Sequence, residues 1–280
     1  MIPFDFEYYR PNSIQEAIQL FHQLDKEGKK PLYYGGGTEI ITMGRSQRIR
    51  TKAVIDIKDI PECNVCEWKD DKLLLGATLT ITSVQEAKVF PLLGETAGRA
   101  ADRTARNKIT IGGNVAGRIR YKEAVLPFLL ADSTFVIAGI EGIRYVPAYQ
   151  AFVEKLQLQK GELLVQIITD RRYVTAPYYS VKKRQLEKID YPLVTVAAIK
   201  YGDEIRMACS GLCAFPFRSL IMEAALNNKH ISLEKRIERA LTYIPAPVLD
   251  DIRGSRAYRT FVFQYVLHDM LIKLEGMGES

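Results

Sequence analysis

Hydrophobic and polar positions along this chain change period at definite places, and the changes outline its elements. Ser13-Ile14-Gln15-Glu16 reads as a capping box, in which the Ser13 hydroxyl accepts a main-chain N–H and Glu16 reaches back. Ile14, Ala17, Ile18 and Phe21 then recur on one helical face, and Gly28 closes the helix. Short apolar runs at 31–34, 54–57 and 73–77 predict strands, and a helix is expected over 38–43. Residues 91–106 carry a helical pattern that sets Arg99, Arg103 and Arg106 on one face. A further helix is expected over 121–130, with Pro127 kinking it or starting a new one. Runs at 135–138 and 143–146 flank Gly139-Ile140-Glu141-Gly142, a hairpin signal, and 163–168 reads as a strand.

The rhythm then changes. Residues 178–183, 194–201 and 205–210 alternate or run apolar as strands, the last two joined by the tight turn Tyr201-Gly202-Asp203-Glu204. After Pro216 the pattern becomes helical. Ser255 is placed to cap a last helix, in which Tyr258, Phe261, Val262, Tyr265 and Val266 follow the i, i+3, i+4, i+7, i+8 stripe. The simplest assembly for this part is a three-stranded antiparallel sheet backed by helices, with a domain boundary near residue 172.

Composition narrows the class. The chain has 280 residues, 47% of them hydrophobic, enough to bury a core in one large domain or two ordinary ones. The net charge is +6, but the basic residues are dispersed and not interleaved with aromatics, which argues against nucleic-acid binding. The N-terminal residues hold acids and no apolar core stretch, and no run of 18 apolar residues exists, so neither a signal peptide nor a membrane span is expected. With four cysteines and no export signal, a reducing cytoplasm is the expected location. Cys63 with Cys66 and Cys209 with Cys213 read as small hydrophobes rather than metal ligands, and His22, His230 and His268 have no metal spacing. No metal site and no general acid–base dyad is expected.

The candidate chemistry lies in two glycine-rich turns about seventy residues apart. They are Gly35-Gly36-Gly37-Thr38-Glu39-Ile40 and Thr110-Ile111-Gly112-Gly113-Asn114. Each follows a short strand-like run, and each is expected to leave main-chain N–H groups free for a ligand. Glycine allows an oxygen to approach the main chain without a Cβ in the way, and a helix start adds partial positive charge. Two such turns facing each other would grip both halves of a pyrophosphate. Neither matches G-x-G-x-x-G, and no G-x-x-x-x-G-K-[ST] is present, which excludes a standard Rossmann or P-loop protein.

The same residues carry a resemblance. Tyr34-Gly35-Gly36-Gly37-Thr38-Glu39-Ile40 resembles the A-G-G-T-[DE]-[LI] motif of the FAD-binding subunits of the molybdenum hydroxylases, a group that includes xanthine dehydrogenase, aldehyde oxidase and carbon monoxide dehydrogenase flavoproteins. Residues 106–114 match the family's R-N-x-x-T-I-G-G-N without a break. Ser210-Gly211 through Pro216 and Arg218, and Asp251-Ile252-Arg253-Gly254-Ser255 with Tyr258-Arg259, resemble its C-terminal signatures, so the likeness runs nearly end to end.

The resemblance implies a vanillyl-alcohol-oxidase-like FAD domain over 1–172, in two α+β lobes of about 1–52 and 53–172, and a C-terminal flavoprotein domain over 173–280. It implies that Tyr33, Tyr34, Gly35, Gly36, Gly37, Thr38, Glu39 and Ile40, with Thr110, Gly112, Gly113 and Asn114, hold the FAD pyrophosphate. Glu123 stands at the position of a family acid that bonds FAD, although the family's A-S-P-x-S-D stretch is replaced here by residues 118–123. Lys182 matches a lysine at the flavin edge, eight residues before Asp190, and the family's paired arginines downstream are reduced to Arg184-Gln185-Leu186. Leu164 matches a position that packs on the flavin. The implied function is electron transfer within a complex, with the xanthine dehydrogenase type as the first reading. One partner chain carries molybdopterin and another carries [2Fe–2S] clusters, and electrons pass through FAD to NAD⁺ or another acceptor. The alternatives are the FAD subunit of an aldehyde, carbon monoxide or heteroaromatic-acid dehydrogenase, or a flavin-free scaffold subunit.

Overall fold

The structure, a computed structural model, describes residues 2–185 and 190–277; Leu186 lies outside the described residues. The strands in chain order are β1 (Glu7–Tyr9), β2 (Leu32–Tyr34), β3 (Ala53–Asp56), β4 (Cys66–Lys69), β5 (Lys72–Gly76), β6 (Thr134–Gly139) and β7 (Gly142–Pro147). They continue as β8 (Phe152–Val153), β9 (Lys155–Leu156), β10 (Leu163–Asp170), β11 (Tyr178–Lys183), β12 (Val194–Tyr201), β13 (Glu204–Ser210) and β14 (Phe217–Arg218). The helices are α1 (Ile14–Lys26), α2 (Thr38–Arg45), α3 (Ile81–Ala87), α4 (Pro91–Ala97), α5 (Arg103–Arg106) and α6 (Ile111–Ala116). After them come α7 (Val125–Leu130), α8 (Ala148–Ala151), α9 (Arg171–Val174), α10 (Leu220–Leu226), α11 (Leu233–Thr242) and α12 (Arg256–Gly276). None of these helices is long and apolar enough to cross a membrane.

The chain forms two compact units. The first comprises Met1–Val84, Arg103–Ile119 and Asp132–Asp170; the second comprises Gln85–Asp102, Arg120–Ala131 and Arg171–Ser280. Two segments assigned above to the first domain, 85–102 and 120–131, therefore cluster with the residues that follow 171.

The first unit holds a parallel sheet in the order β1-β3-β2 and a five-stranded antiparallel sheet in the order β4-β5-β10-β6-β7. Helix α1 fills the space beside both. Its Ala17, Phe21 and Leu24 share a core with Ile55 and Ile60, and with Val136, Ala138, Leu163 and Val165 of the larger sheet. The capping box forms with one difference. The Glu16 N–H donates to the Ser13 hydroxyl at 3.2 Å, but the Glu16 carboxylate reaches the N–H of Asn12, not of Ser13.

The second unit is built on one antiparallel sheet, in the order β11-β12-β13-β14. It has four strands, not the three expected. β14 is two residues long and too short to show a period, but Phe217 and Arg218 pair with Cys209 and Ala208. One face is apolar: Val194, Val196, Met207 and Cys209 pack on Phe263, Val266, Leu267 and Met270 of α12. This corrects part of the stripe read from the last helix: Val266 is buried in this core and Val262 packs against it, but Tyr258, Phe261 and Tyr265 are exposed. The true core face is one position round, and it includes the fully buried Arg259.

The other face carries both buried apolar residues, Ala197, Ile199 and Ala208, and polar ones, and it is covered by α4 and α7. Cross-strand pairing sets Lys182, Thr195 and Ser210 in one row on this face. Cations from the sheet reach the carbonyls that end the two short helices, where the last turns lack N–H partners. Arg206 donates to the Leu130 carbonyl at 3.0 Å and Arg218 to that of Leu129 at 2.9 Å. Lys182 and Arg184 donate to the Arg99 carbonyl just beyond α4. These bonds tie 85–102 and 120–131 to the C-terminal sheet. The expected helix over 91–106 is accordingly two helices. It breaks at 98–102, where Ala101 is left-handed with φ +45°, so Arg99 leaves the face of Arg103 and Arg106. The expected helix over 121–130 begins only at Val125, which puts Pro127 in the first turn, where it displaces no helical hydrogen bond.

Candidate functional site

The first glycine turn joins the end of β2 to the start of α2. β2 runs parallel to β3 with Tyr34 opposite Asp56, so the turn leaves the sheet beside the residues that follow β3. Gly37 is the helix N-cap with φ +71°, and no side chain caps the helix. A Cβ at Gly37 would overlap the Tyr34 ring, so glycine is required by both conformation and space. The uncapped N–H groups of Thr38, Glu39 and Ile40 make this a suitable place for an anion.

Lys58, absent from the residues expected at the site, braces this turn. Its Nζ donates to the Gly35 carbonyl at 3.1 Å and to the Asp56 carboxylate at 2.6 Å, and it lies 4.7 Å from the centre of the Tyr34 ring. Asp56 is buried and also accepts the Tyr8 hydroxyl. Burial pushes the Asp56 carboxyl up, but its bonds from Lys58 and Tyr8 outweigh this and hold it below the ordinary carboxylate value. The Tyr8 phenol is pushed up to about 12, first by its bond to Asp56. The available signal was the Asp56-x-Lys58 spacing at the end of a strand that pairs with β2.

The second turn is the N-terminus of α6. Thr110 is its N-cap and bridges to Thr80, and the Gly113 N–H donates to the Thr110 hydroxyl at 3.0 Å. The N–H groups of Ile111, Gly112 and Asn114 donate to the carbonyls of Leu79, Ala77 and Thr110, each at 2.9 Å. The expectation of free main-chain donors therefore holds at the first turn and not at the second, where neighbouring carbonyls and the cap hydroxyl take them. Glycine at 112 serves packing, since a Cβ there would stand 2.6 Å from that of Ala77.

The two turns lie against each other within the first unit. A Cβ at Gly36 would overlap the Lys108 carbonyl oxygen, and one at Gly35 would stand 3.0 Å from the Thr110 hydroxyl. Glu39 completes the junction, because its carboxylate accepts the N–H groups of Arg118 and Ile119. Residues 35–39 and the chain over 108–119 are thus brought together. Tyr33 is turned away: its hydroxyl donates to the Gly161 carbonyl at 2.8 Å and its ring stacks on Phe21. Leu164 is buried on β10, next to a break in register, and stays outside the core that holds Leu163 and Val165.

Glu123 and Lys182 lie in the second unit, and the structure pairs them. The Lys182 Nζ stands 2.9 Å from Glu123 Oε1, with side-chain exposures of 2% and 4%. A second Lys182 N–H goes to the Arg99 carbonyl at 3.1 Å, which leaves one of the three ammonium hydrogens unclaimed. Close by, Tyr121 stacks on Tyr191 with ring centres 4.5 Å apart, and Arg253 lies over Tyr191.

In the first unit, the uncapped helix start over glycines that cannot carry a Cβ fits the anionic bridge of a dinucleotide cofactor. In the second unit, the buried Lys182 ammonium has a hydrogen to spare for an acceptor. A sequence profile for the FAD binding domain in molybdopterin dehydrogenase matches residues 4–169. The chain belongs to this family. The carbon monoxide dehydrogenase medium chain of Hydrogenophaga pseudoflava is 31% identical over 274 residues, covering 93% of each chain. The nicotinate dehydrogenase FAD-subunit of Eubacterium barkeri is 23% identical over 300 residues, covering 97% of this chain and 98% of the relative. Among solved structures, carbon monoxide dehydrogenase from H. pseudoflava lacking the Mo-pyranopterin moiety of the molybdenum cofactor superimposes with a TM-score of 0.86. It is 26% identical, with 97% of this chain and 98% of that chain covered. Membership makes this an FAD-binding oxidoreductase subunit with a mixed α+β fold.

Proposed function

We propose that this chain is the electron-transfer flavoprotein of a molybdenum hydroxylase complex. In this reading it receives electrons from [2Fe–2S] clusters on one partner chain, supplied by a molybdopterin chain, and passes them to NAD⁺ or another acceptor in the cytoplasm. Bound FAD supplies the redox chemistry, and the chain supplies binding, orientation and electrostatics. Gly35, Gly36, Gly37, Thr38, Glu39 and Ile40 hold the diphosphate through main-chain N–H groups, with Thr110, Gly112, Gly113 and Asn114 forming the wall behind it. Tyr34 and Lys58 fix the turn, and Glu39 staples the two segments. Lys182, oriented by Glu123, stands at the flavin edge, and Leu164 contributes apolar surface. The FAD-binding domain is taken as 1–172 in two vanillyl-alcohol-oxidase-like lobes, and the flavoprotein C-terminal domain as 173–280.

The observation that carries this reading is the closeness of the two turns, with Gly36 against the Lys108 carbonyl. The xanthine dehydrogenase type is one substrate reading. The carbon monoxide and nicotinate relatives, matched over more than 90% of both chains, favour a second, in which the complex acts on a non-purine substrate. Purification from the native host tests both. The expected result is a flavin-containing complex with an iron–sulfur chain and a molybdopterin chain, whose substrate is then assayed directly. A flavin-free chain that purifies without either partner would refute the proposal.

A further inference from the structure

We infer that Arg184 is a second cationic ligand of the flavin site, acting beside Lys182 on the electron-rich pyrimidine edge of FAD and raising the cofactor's reduction potential. The inference rests on the proposed place of Lys182 at the flavin edge.

The Arg184 Nη2 donates to the Arg99 carbonyl at 2.9 Å, the same oxygen that receives Lys182 Nζ at 3.1 Å. Two cations thus converge on one acceptor. The Arg184 Nε is buried and has no hydrogen-bond partner, while Lys182 keeps one N–H unclaimed. Lys182 is the penultimate residue of β11 and Arg184 follows that strand directly. Both unclaimed donors therefore belong to side chains that meet at one carbonyl, and a buried donor left unpaired is unfavourable until an acceptor arrives.

The charges point the same way. Glu123 balances Lys182, and among the described residues no carboxylate pairs with Arg184. The neighbouring Arg99 guanidinium is engaged by Glu95 at 2.5 Å and by the Ser180 carbonyl. Among the described residues, the Arg184 charge therefore stands without a carboxylate beside a buried ion pair. The pyrimidine ring of a flavin offers acceptor oxygens and nitrogens, and its reduced form holds more negative charge there than its oxidised form. A fixed cation at that edge stabilises the reduced form selectively.

The test uses the full chain loaded with FAD, comparing wild type, Arg184→Gln and Arg184→Lys. FAD affinity is read by fluorescence quenching. The two-electron, one-proton potential of the bound flavin is read by dithionite titration against a reference dye. Loss of the charge is expected to weaken binding of reduced FAD about tenfold more than of oxidised FAD, a fall of about 30 mV. Arg184→Lys is expected to keep most of the wild-type potential. Arg184→Met replaces the glutamine variant if that variant does not fold. An unchanged potential in a folded, flavin-loaded variant overturns the inference, as does a lysine variant that falls as far as glutamine. Wild-type chain that takes up no FAD overturns the site reading itself, and this assignment with it, which is a different result from a loaded variant with an unaltered potential.

Discussion

The Glu39 carboxylate accepts the main-chain N–H of Arg118 with both oxygens, at 2.7 and 2.9 Å. The same carboxylate takes the Ile119 N–H at 3.0 Å. The Glu39 side chain therefore staples the start of α2 to the chain leaving α6, while its main-chain N–H stays with the glycine turn. Glu39→Ala is expected to destabilise the FAD-free protein by about 1–3 kcal/mol, the cost of stranded donors. Glu39→Gln should lose less, since it keeps one acceptor oxygen. Thermal denaturation without FAD decides the matter: an unaltered apo midpoint combined with lost FAD affinity would make Glu39 a direct contact.

Gly36 has no room for a methyl group, because the Lys108 carbonyl occupies that space. Gly36→Ala should push the two turns apart. We expect a lower melting temperature and loss of FAD on gel filtration, whereas Gly28→Ala, where a Cβ meets nothing within 4 Å, should retain the cofactor. Gly28 has φ +73°, so its substitution carries some backbone strain but leaves the turns untouched. Full FAD retention by Gly36→Ala would contradict the account of this junction.

The pairing of Glu123 with Lys182 predicts a specific pattern of stabilities. Removing either partner leaves a buried charge uncompensated, at a cost of about 3–5 kcal/mol. Lys182→Met and Glu123→Leu should each destabilise the chain strongly, and the double variant should be more stable than either. A double-mutant cycle by urea denaturation measures this. Strict additivity would show that the two side chains do not depend on each other.

Much of the fold was legible in the sequence for local reasons. Ser13 and Ser255 announced their helices because an N-cap is written in three or four residues, and the Gly139–Gly142 hairpin and the Tyr201–Glu204 turn were equally local. The glycine turns were visible too, and so was the Asp251–Arg259 signature. There the buried Arg259 gathers the carbonyls of Leu193 and Gly211 and the carboxylate of Asp251. What escaped depended on distance. Only the folded sheet shows that Lys58 stands beside Gly35, or that Lys182 and Arg184 share the carbonyl of Arg99. The stripe of α12 misled in part because Tyr258, Phe261 and Tyr265 are as apolar in a pattern as Phe263, Leu267 and Met270, and periodicity alone does not say which face meets a sheet.

Asp56 gives a pH prediction with a definite sign. Its carboxyl lies below its ordinary value in the folded chain, so its contribution to stability is complete above the ordinary value, near pH 4, and is lost as pH falls through the lower folded value. Asp56→Asn should lower the melting temperature at neutral pH and lose less than wild type on acidification. Melting curves taken from neutral pH down to the carboxylate range test this. Parallel pH profiles for the two proteins would remove Asp56 as the source.

The central claim is that the paired turns anchor the diphosphate of FAD. Equilibrium titration of the full chain with FAD and with riboflavin, which has the same ring and no phosphate, tests it most directly. The account predicts that FAD binds at least about tenfold more tightly, a difference of 1.4 kcal/mol or more. Equal affinity for the two flavins, or no binding of either, would contradict it.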